Sequence, residues 1–164
     1  MDDDDARRRL IAMLRSAYSG ELAAALAYRA HWRALRDAAQ RADVARIEDE
    51  EWVHRREVGI LLGKLGAEPQ RLREALMRIV GCSVGVSCHL GSWILPMYFA
   101  GRLEHSNIRE YEDGAEYARH LRLPDYERAL LAMAAVEREH EEFFLRTVAL
   151  HPWLPALKRL FAWG

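Results

Sequence analysis

The pattern Glu-x-x-His occurs twice in this chain, as Glu51-Trp52-Val53-His54 and as Glu137-Arg138-Glu139-His140. On an α-helix, residues i and i+3 lie on one face about one turn apart, so each pair can aim a carboxylate and an imidazole at the same point. Alone, such spacing is common in Glu-rich helices. Its force comes from what precedes it. Glu21 stands ahead of Glu51 and Glu104 ahead of Glu137 at nearly the same separation, and two helical turns after each comes a tyrosine, Tyr28 and Tyr111. The chain reads as two copies of one unit, Glu-x6-Tyr then Glu-x-x-His, that must fold so that the inward groups meet.

The register can be tested without the motifs. Residues 6 to 36 contain no proline and are rich in Ala, Leu and Arg with apolar positions at helical spacing, which predicts a long first helix. Its inward stripe would include Leu14, Ala17, Tyr18, Glu21, Ala24, Ala25 and Tyr28. A second helix is expected from about Asp43 to Leu65, ended by Gly66 and Pro69, with Ile47, Glu51, His54, Val58 and Leu61 on one face. If Glu21 and Glu51 stand level on antiparallel helices, the turn must fall near residue 36, and Asp37 to Asp43 supplies polar turn residues there. The midpoint of Glu104 and Glu137 falls between residues 120 and 121. The sequence His120-Leu121-Arg122-Leu123-Pro124-Asp125 carries a break and restart at that place, opening a helix from about Asp125 to Leu150.

A chain of 164 residues with 51% hydrophobic content suits one domain over 1–164, with a bundle over 1–150 and an amphipathic tail over 151–164. A net charge of −1 and a pI near 6.7 give no basic field for nucleic acid. Cys82 and Cys88 form neither a disulfide framework nor a thiolate zinc pattern, so the reducing cytoplasm is the expected compartment. Met1 and Asp2 to Asp5 lack the basic and apolar regions of a secretory signal and favour a helix start. Ile79 to Gly101 carries no formal charge. Its length permits a membrane span, its glycines, serines, His89 and Pro96 argue against one, and a peripheral membrane-facing surface or plain core remain as readings. The tail, with Trp153, Phe161, Trp163 and Lys158-Arg159, suits either a membrane interface or docking onto the bundle.

Glu21, Glu51, His54, Glu104, Glu137 and His140 together make the donor set of carboxylate-bridged dinuclear sites in helical bundles, one Glu from each of two helices and Glu-x-x-His from the other two. Two divalent ions would balance four carboxylates, with the histidines binding neutral. Oxygen and nitrogen donors without thiolate favour two iron ions, or manganese, over structural zinc. Tyr28 and Tyr111 read either as core aromatics or as donors that orient a ligand carboxylate. His31, His89, His105, His120 and His151 have no Glu three places earlier and read as structural. The plainer alternative leaves the motif residues as solvated charges, like Glu48, Glu50, Glu139, Glu141 and Glu142.

Gly20-Glu21 with Tyr28-Arg29, Glu51-x-x-His54, the apolar Gly81-Cys82-Ser83-Val84-Gly85 leading to Leu103-Glu104, Tyr111, and Glu137-x-x-His140 together resemble the demethoxyubiquinone hydroxylases, di-iron monooxygenases of ubiquinone biosynthesis. The chain departs from that family's pattern at His105, Glu110 and Glu68-Pro69. The resemblance implies an all-α, ferritin-like four-helix bundle, with an extra apolar helical segment between helices two and three and a short C-terminal helix. It assigns two irons to Glu21, Glu51, His54, Glu104, Glu137 and His140, and places Tyr111 close to them. The expected activity is O2-dependent hydroxylation of a hydrophobic, quinone-like ring, with electrons from an external donor. A small homo-oligomer on the inner face of the plasma membrane is the expected setting. Iron oxidation and storage in a ferritin-like shell, a rubrerythrin-like peroxidase, and a non-enzymatic bundle are the alternatives.

Overall fold

A computed structural model describes residues 1–90 and 93–163, and these form six α-helices: α1 Asp3–Ala34, α2 Ala38–Lys64, α3 Arg71–Ser87, α4 Ile94–His120, α5 Pro124–Val148 and α6 Leu154–Phe161. Their limits follow from local chemistry. The Asp2 carboxylate accepts from Asp5 N–H at 2.7 Å, and Asp3 to Asp5 put negative charge at the positive end of the α1 dipole. The Asp37 carboxylate accepts from Gln40 N–H at 2.8 Å and starts α2 at Ala38, earlier than the expected Asp43. The turn at Leu35–Asp37 therefore falls where the midpoint rule places it. So does Leu121–Leu123, after which Pro124 opens α5.

α1 and α2 form one antiparallel hairpin and α4 and α5 another, with α1 lying along α4 and α2 only lightly touching α5. Two apolar clusters hold the bundle. Toward one end Leu10, Leu14, Val58, Leu62, Leu130 and Met133 pack together, and toward the other Val44, Ile47, Ile94, Tyr98, Phe144 and Val148. Of the faces the periodicity gives, Leu14, Ala17, Glu21, Ala24, Ala25 and Tyr28 on α1, and Ile47, Glu51, His54, Val58 and Leu61 on α2, are buried; Tyr18, expected on the same α1 stripe, is only half-buried, with the Arg55 guanidinium 3.7 Å from its ring centroid.

The crossover from α2 to α4 contains α3, which lies against α1. Only Gly81 and Gly85 of α3 are fully buried, while Leu72, Leu76, Ile79, Val80, Val84 and Val86 stay exposed. At its polar end, Arg73 donates to Ser19 Oγ at 2.8 Å and to Ser16 Oγ at 2.9 Å, and Arg55 of α2 pairs with Glu74. The uncharged stretch Ile79 to Gly101 is thus divided between the end of α3, the turn around His89 and Leu90, and the start of α4; its Gly91 and Ser92 lie outside the described residues. Among the described residues no helix is long and apolar enough to cross a membrane.

The tail docks onto the bundle. Tyr98 Oη donates to Trp163 O at 2.8 Å, and Trp163 Nε1 donates to Glu141 at 2.8 Å. Leu154, Leu157 and Trp163 are buried, with the Trp163 ring over Gly101.

A Cβ added at Gly81 would lie 2.5 Å from Ala23 O and 2.8 Å from Ala23 Cα, and backbone cannot move aside as a side chain can. Gly63, exposed on α2, has no such neighbour within 4 Å. Gly81→Ala should cost about 1–3 kcal/mol in urea unfolding. Gly63→Ala should stabilise by about 0.5–1 kcal/mol through lost unfolded-state freedom.

Candidate metal centre

Each of the four long helices brings its charged inward residues to the same level, between the two apolar clusters. Glu21, from α1, is 3% exposed, and Glu51, Glu104, Glu137 and His140 are 0% exposed; His54 is 4% exposed. Single donor atoms from Glu21, Glu51, His54 and Glu137 all lie within 4.8 Å of one another, and so do atoms from Glu51, Glu104, Glu137 and His140. The quartets overlap in Glu51 and Glu137. All six expected ligands are thus brought together in two adjoining groups.

The orientation of the donors also suits cations. Eight buried side-chain polar atoms among the described residues lack a hydrogen-bond partner, and seven are here: Glu21 Oε2, both oxygens of Glu51 and of Glu137, and Nδ1 of His54 and of His140. His54 Nδ1 lies 3.0 Å from Glu137 Oε1, and His140 Nδ1 lies 3.5 Å from Glu51 Oε1 and from Glu137 Oε2. Unpaired buried carboxylates are costly, and converging lone pairs are what a hard or borderline divalent ion satisfies. The residues fit a metal site.

The two tyrosines exchange partners between the hairpins. Tyr28 of α1 donates to Glu104 Oε1 of α4, and Tyr111 of α4 donates to Glu21 Oε1 of α1. Each tyrosine therefore orients the carboxylate of the other sequence unit, not its own. Asn107 Nδ2 adds a bond of 3.1 Å to the second oxygen of Glu104.

The histidines are not held alike. His140 Nε2 donates to Glu50 Oε2 at 2.7 Å, and Arg46 pairs with Glu50 at 2.7 Å. That contact places the ring proton on Nε2 and turns the bare Nδ1 lone pair inward. The position equivalent to Glu50 in the second motif is Val136, which offers His54 no acceptor.

Electrostatics follow from burial without a compensating cation. Desolvation raises the pKa of Glu21, and those of Glu51 and Glu104 well above the ordinary 4.5, reinforced by neighbouring carboxylates. Burial would raise Glu137 too, but the His140 and His54 imidazoles beside it outweigh that and hold Glu137 low. His54 loses from desolvation and gains more from Glu137 and Glu21, so its pKa is raised.

Glu50 and Asn107 carry no motif signal of their own. Glu50 reads as one more charge in the run Glu48-Asp49-Glu50-Glu51, and only its placement opposite His140 separates it from the rest. Glu48 is no solvated charge either. It is 6% exposed and accepts from Arg29 at 2.6 Å and from the indoles of Trp32 and Trp52 at 2.8 and 3.2 Å, tying α2 to α1.

An apolar cavity of about 280 Å³ lies between α1, α3 and α4 beside the centre, with Ala24, Tyr28, Val84, Phe99 and Leu103 in its wall. The hydroxyl of Tyr28 in that wall donates to Glu104. No family model, curated protein or solved structure matches the chain.

Two outcomes are expected. Glu50→Ala should weaken divalent-metal affinity about 10–100-fold in direct titration by freeing the His140 ring. For stability, raised carboxyls bind protons in the folded chain that the unfolded chain has lost above its ordinary 4.5, so ν_U − ν_N is negative there. Relative to a chain with Glu21, Glu51 and Glu104 replaced by Gln, the metal-free protein should lose stability as pH rises above that value. Glu137 acts oppositely, adding stability that is lost as pH falls below 4.5. Denaturant midpoints from pH 4 to 8, with and without saturating Mn(II), would show the decline and its reversal by metal.

Proposed function

We propose that this protein is a ferritin-like di-iron oxygenase that hydroxylates a hydrophobic, quinone-like ring with O2 and electrons from an external donor. The observation that carries this reading is the pair of overlapping donor quartets sharing Glu51 and Glu137. Glu21 and His54 would hold one ion, Glu104 and His140 the other, and the shared carboxylates would serve both. Four carboxylates would neutralise two divalent ions in a water-poor interior. Bound iron would supply reduction of O2 and insertion of one of its oxygen atoms, the other leaving as water with two electrons and two protons from outside.

The chain's own part is to position and to exclude water. Tyr28 holds Glu104 and Tyr111 holds Glu21 each by one oxygen; the second oxygen of Glu21 is left to ligate, and that of Glu104, which accepts from Asn107, keeps a further lone pair. Glu50 keeps His140 in the ligating tautomer. Phe144, stacked on Tyr28 with ring centroids 5.8 Å apart, and Leu103 close the apolar side. The cavity with Tyr28 in its wall suits an apolar ring, and the outward Leu, Ile and Val side chains of α3 suit a lipid surface where such a ring dissolves. A hollow iron-storage shell would place those side chains in water or in an assembly contact, which disfavours storage.

Anaerobic titration should show two Fe(II) bound per chain, with near-complete loss of stoichiometric uptake in Glu51→Ala and His140→Ala. Admission of O2 with a reductant and a quinone analogue should yield a ring-hydroxylated product carrying one atom of ¹⁸O2. Normal uptake in both variants would sink the ligand assignment. Uptake of two irons with no product from any quinone would keep the centre and sink the hydroxylase.

A further inference from the structure

Another cavity, of about 480 Å³, opens between the first half of α1 and the loop that joins α2 to α3. Four arginines stand in its wall, Arg7, Arg8 and Arg15 of α1 and Arg73 of α3, and no aspartate or glutamate does. The rest of the wall is neutral, with Ile11, Leu65 and Ala67 apolar and Ser16 and Gln70 polar. None of the six metal-site residues lines it. Arg15 lies about 24 Å along α1 from His31, beside which Cys88 and Trp93 pack at the opposite end of the helix.

The guanidiniums are held in place by neutral acceptors. Arg7 Nη2 donates to Leu65 O at 2.7 Å and Arg15 Nε to Glu68 O at 2.9 Å, while Arg73 donates to Ser19 Oγ at 2.8 Å and to Ser16 Oγ at 2.9 Å. These bonds fasten the loop and α3 to α1, and a structural clamp requires no more. They also fix three cations in one wall without neutralising any of them. Each guanidinium has five N–H donors and spends one or two here, so the remainder are available to a ligand. Asp5 reaches Arg8 at 3.4 Å and is held closer by Arg9, at 2.8 Å. Glu110 of α4 lies near Ser16 and Arg73, where burial raises its pKa against their pull, and it does not enter the wall. Among the described residues Arg7, Arg15 and Arg73 form no ion pair. Like charges gathered in this way repel unless an anion sits among them. The choice of arginine at all four places supplies planar forks that match phosphate oxygens two at a time.

We propose that this cavity is an anion site that binds a phosphate group through Arg7, Arg15 and Arg73, with Ile11, Leu65 and Ala67 against the carbon skeleton that carries it. The phosphate belongs either to a soluble organic phosphate or to a lipid headgroup, whose acyl chains would continue over Leu72 and Leu76, exposed on α3 beside Arg73. Both sources present the same oxygens to the same arginines. The site is independent of the oxygenase reading, because its wall contains no metal ligand.

The test uses the full-length protein as purified, at low salt, in two arms. Calorimetry with glycerol 3-phosphate reads the soluble source, and co-sedimentation with phosphatidylcholine vesicles, with and without phosphatidic acid, reads the lipid source. In at least one arm the wild type should bind saturably. Arg7→Gln and Arg15→Gln, which keep a donor for the loop carbonyls, should each weaken that binding about tenfold, and the double variant should abolish it. Ala12→Glu, which puts a carboxylate in the wall from an exposed position of α1, should abolish it with every arginine intact. Arg71→Gln with Arg78→Gln, the same loss of charge outside the wall, should hold affinity within about twofold. Binding in neither arm, binding that survives in Ala12→Glu, or an equal loss in the Arg71 and Arg78 control would overturn the proposal. If the Arg7 and Arg15 variants do not fold, Ala12→Glu and the control decide. The arm that shows this arginine dependence identifies the source of the phosphate.

Discussion

The structure depends on one electrostatic constraint: four carboxylates, Glu21, Glu51, Glu104 and Glu137, lie at one level inside an apolar bundle. A bundle held only by its apolar clusters has no use for them, since each carries a desolvation cost of several kcal/mol when ionised. The surrounding contacts can be read as responses to that cost. Tyr28 and Tyr111 each satisfy one carboxylate oxygen across the hairpin boundary, and the imidazoles of His54 and His140 hold the Glu137 carboxyl low. What these contacts leave unsatisfied is concentrated on the atoms that face one another. The crossed tyrosines have a structural consequence as well: each hairpin's tyrosine satisfies the other hairpin's glutamate, so the hairpins are interdependent even though α2 and α5 scarcely touch.

The two sequence units are near-copies at the level of ligands and unlike outside it. In the first, Glu50 precedes the motif and supports His140; in the second, Val136 takes that place. The side faced by α2 and α5 is closed by the histidines, Glu50 and Arg46. The side faced by α1 and α4 is lined by alanines on α1 and covered by α3, which no sequence repeat anticipates. An approximately symmetric centre is thus set in an asymmetric surround, and the asymmetry decides from where a molecule could approach.

The convergence of the four glutamates and two histidines and the hairpin register were legible because they follow from helix geometry alone. Equal height for Glu21 and Glu51 demands a turn near residue 36, and Leu35–Asp37 is that turn. The start of α2 was misjudged because Asp37, taken as part of a polar turn, is instead the N-cap that begins the helix at once. Glu48 and Glu50 were illegible for a different reason. In a run of four acidic residues, periodicity alone cannot tell a solvated charge from one that faces Trp32 or His140 on another helix. The apolar stretch Ile79 to Gly101 misled through its length, since it is divided between two helices and the turn joining them.

The placement of small residues on α1 ties these features together. Ala23 accepts the close approach of Gly81, and Ala30 that of Gly85, so α3 seats tightly at two points. Between them, Ala24 and Ala27 leave space that no side chain of α3 or α4 fills. Larger residues there would have completed the core and sealed Tyr28 from outside, with a gain in packing. The chain forgoes that packing next to Glu104, on the side where Tyr28 meets it, rather than on the side closed by Glu50 and Arg46.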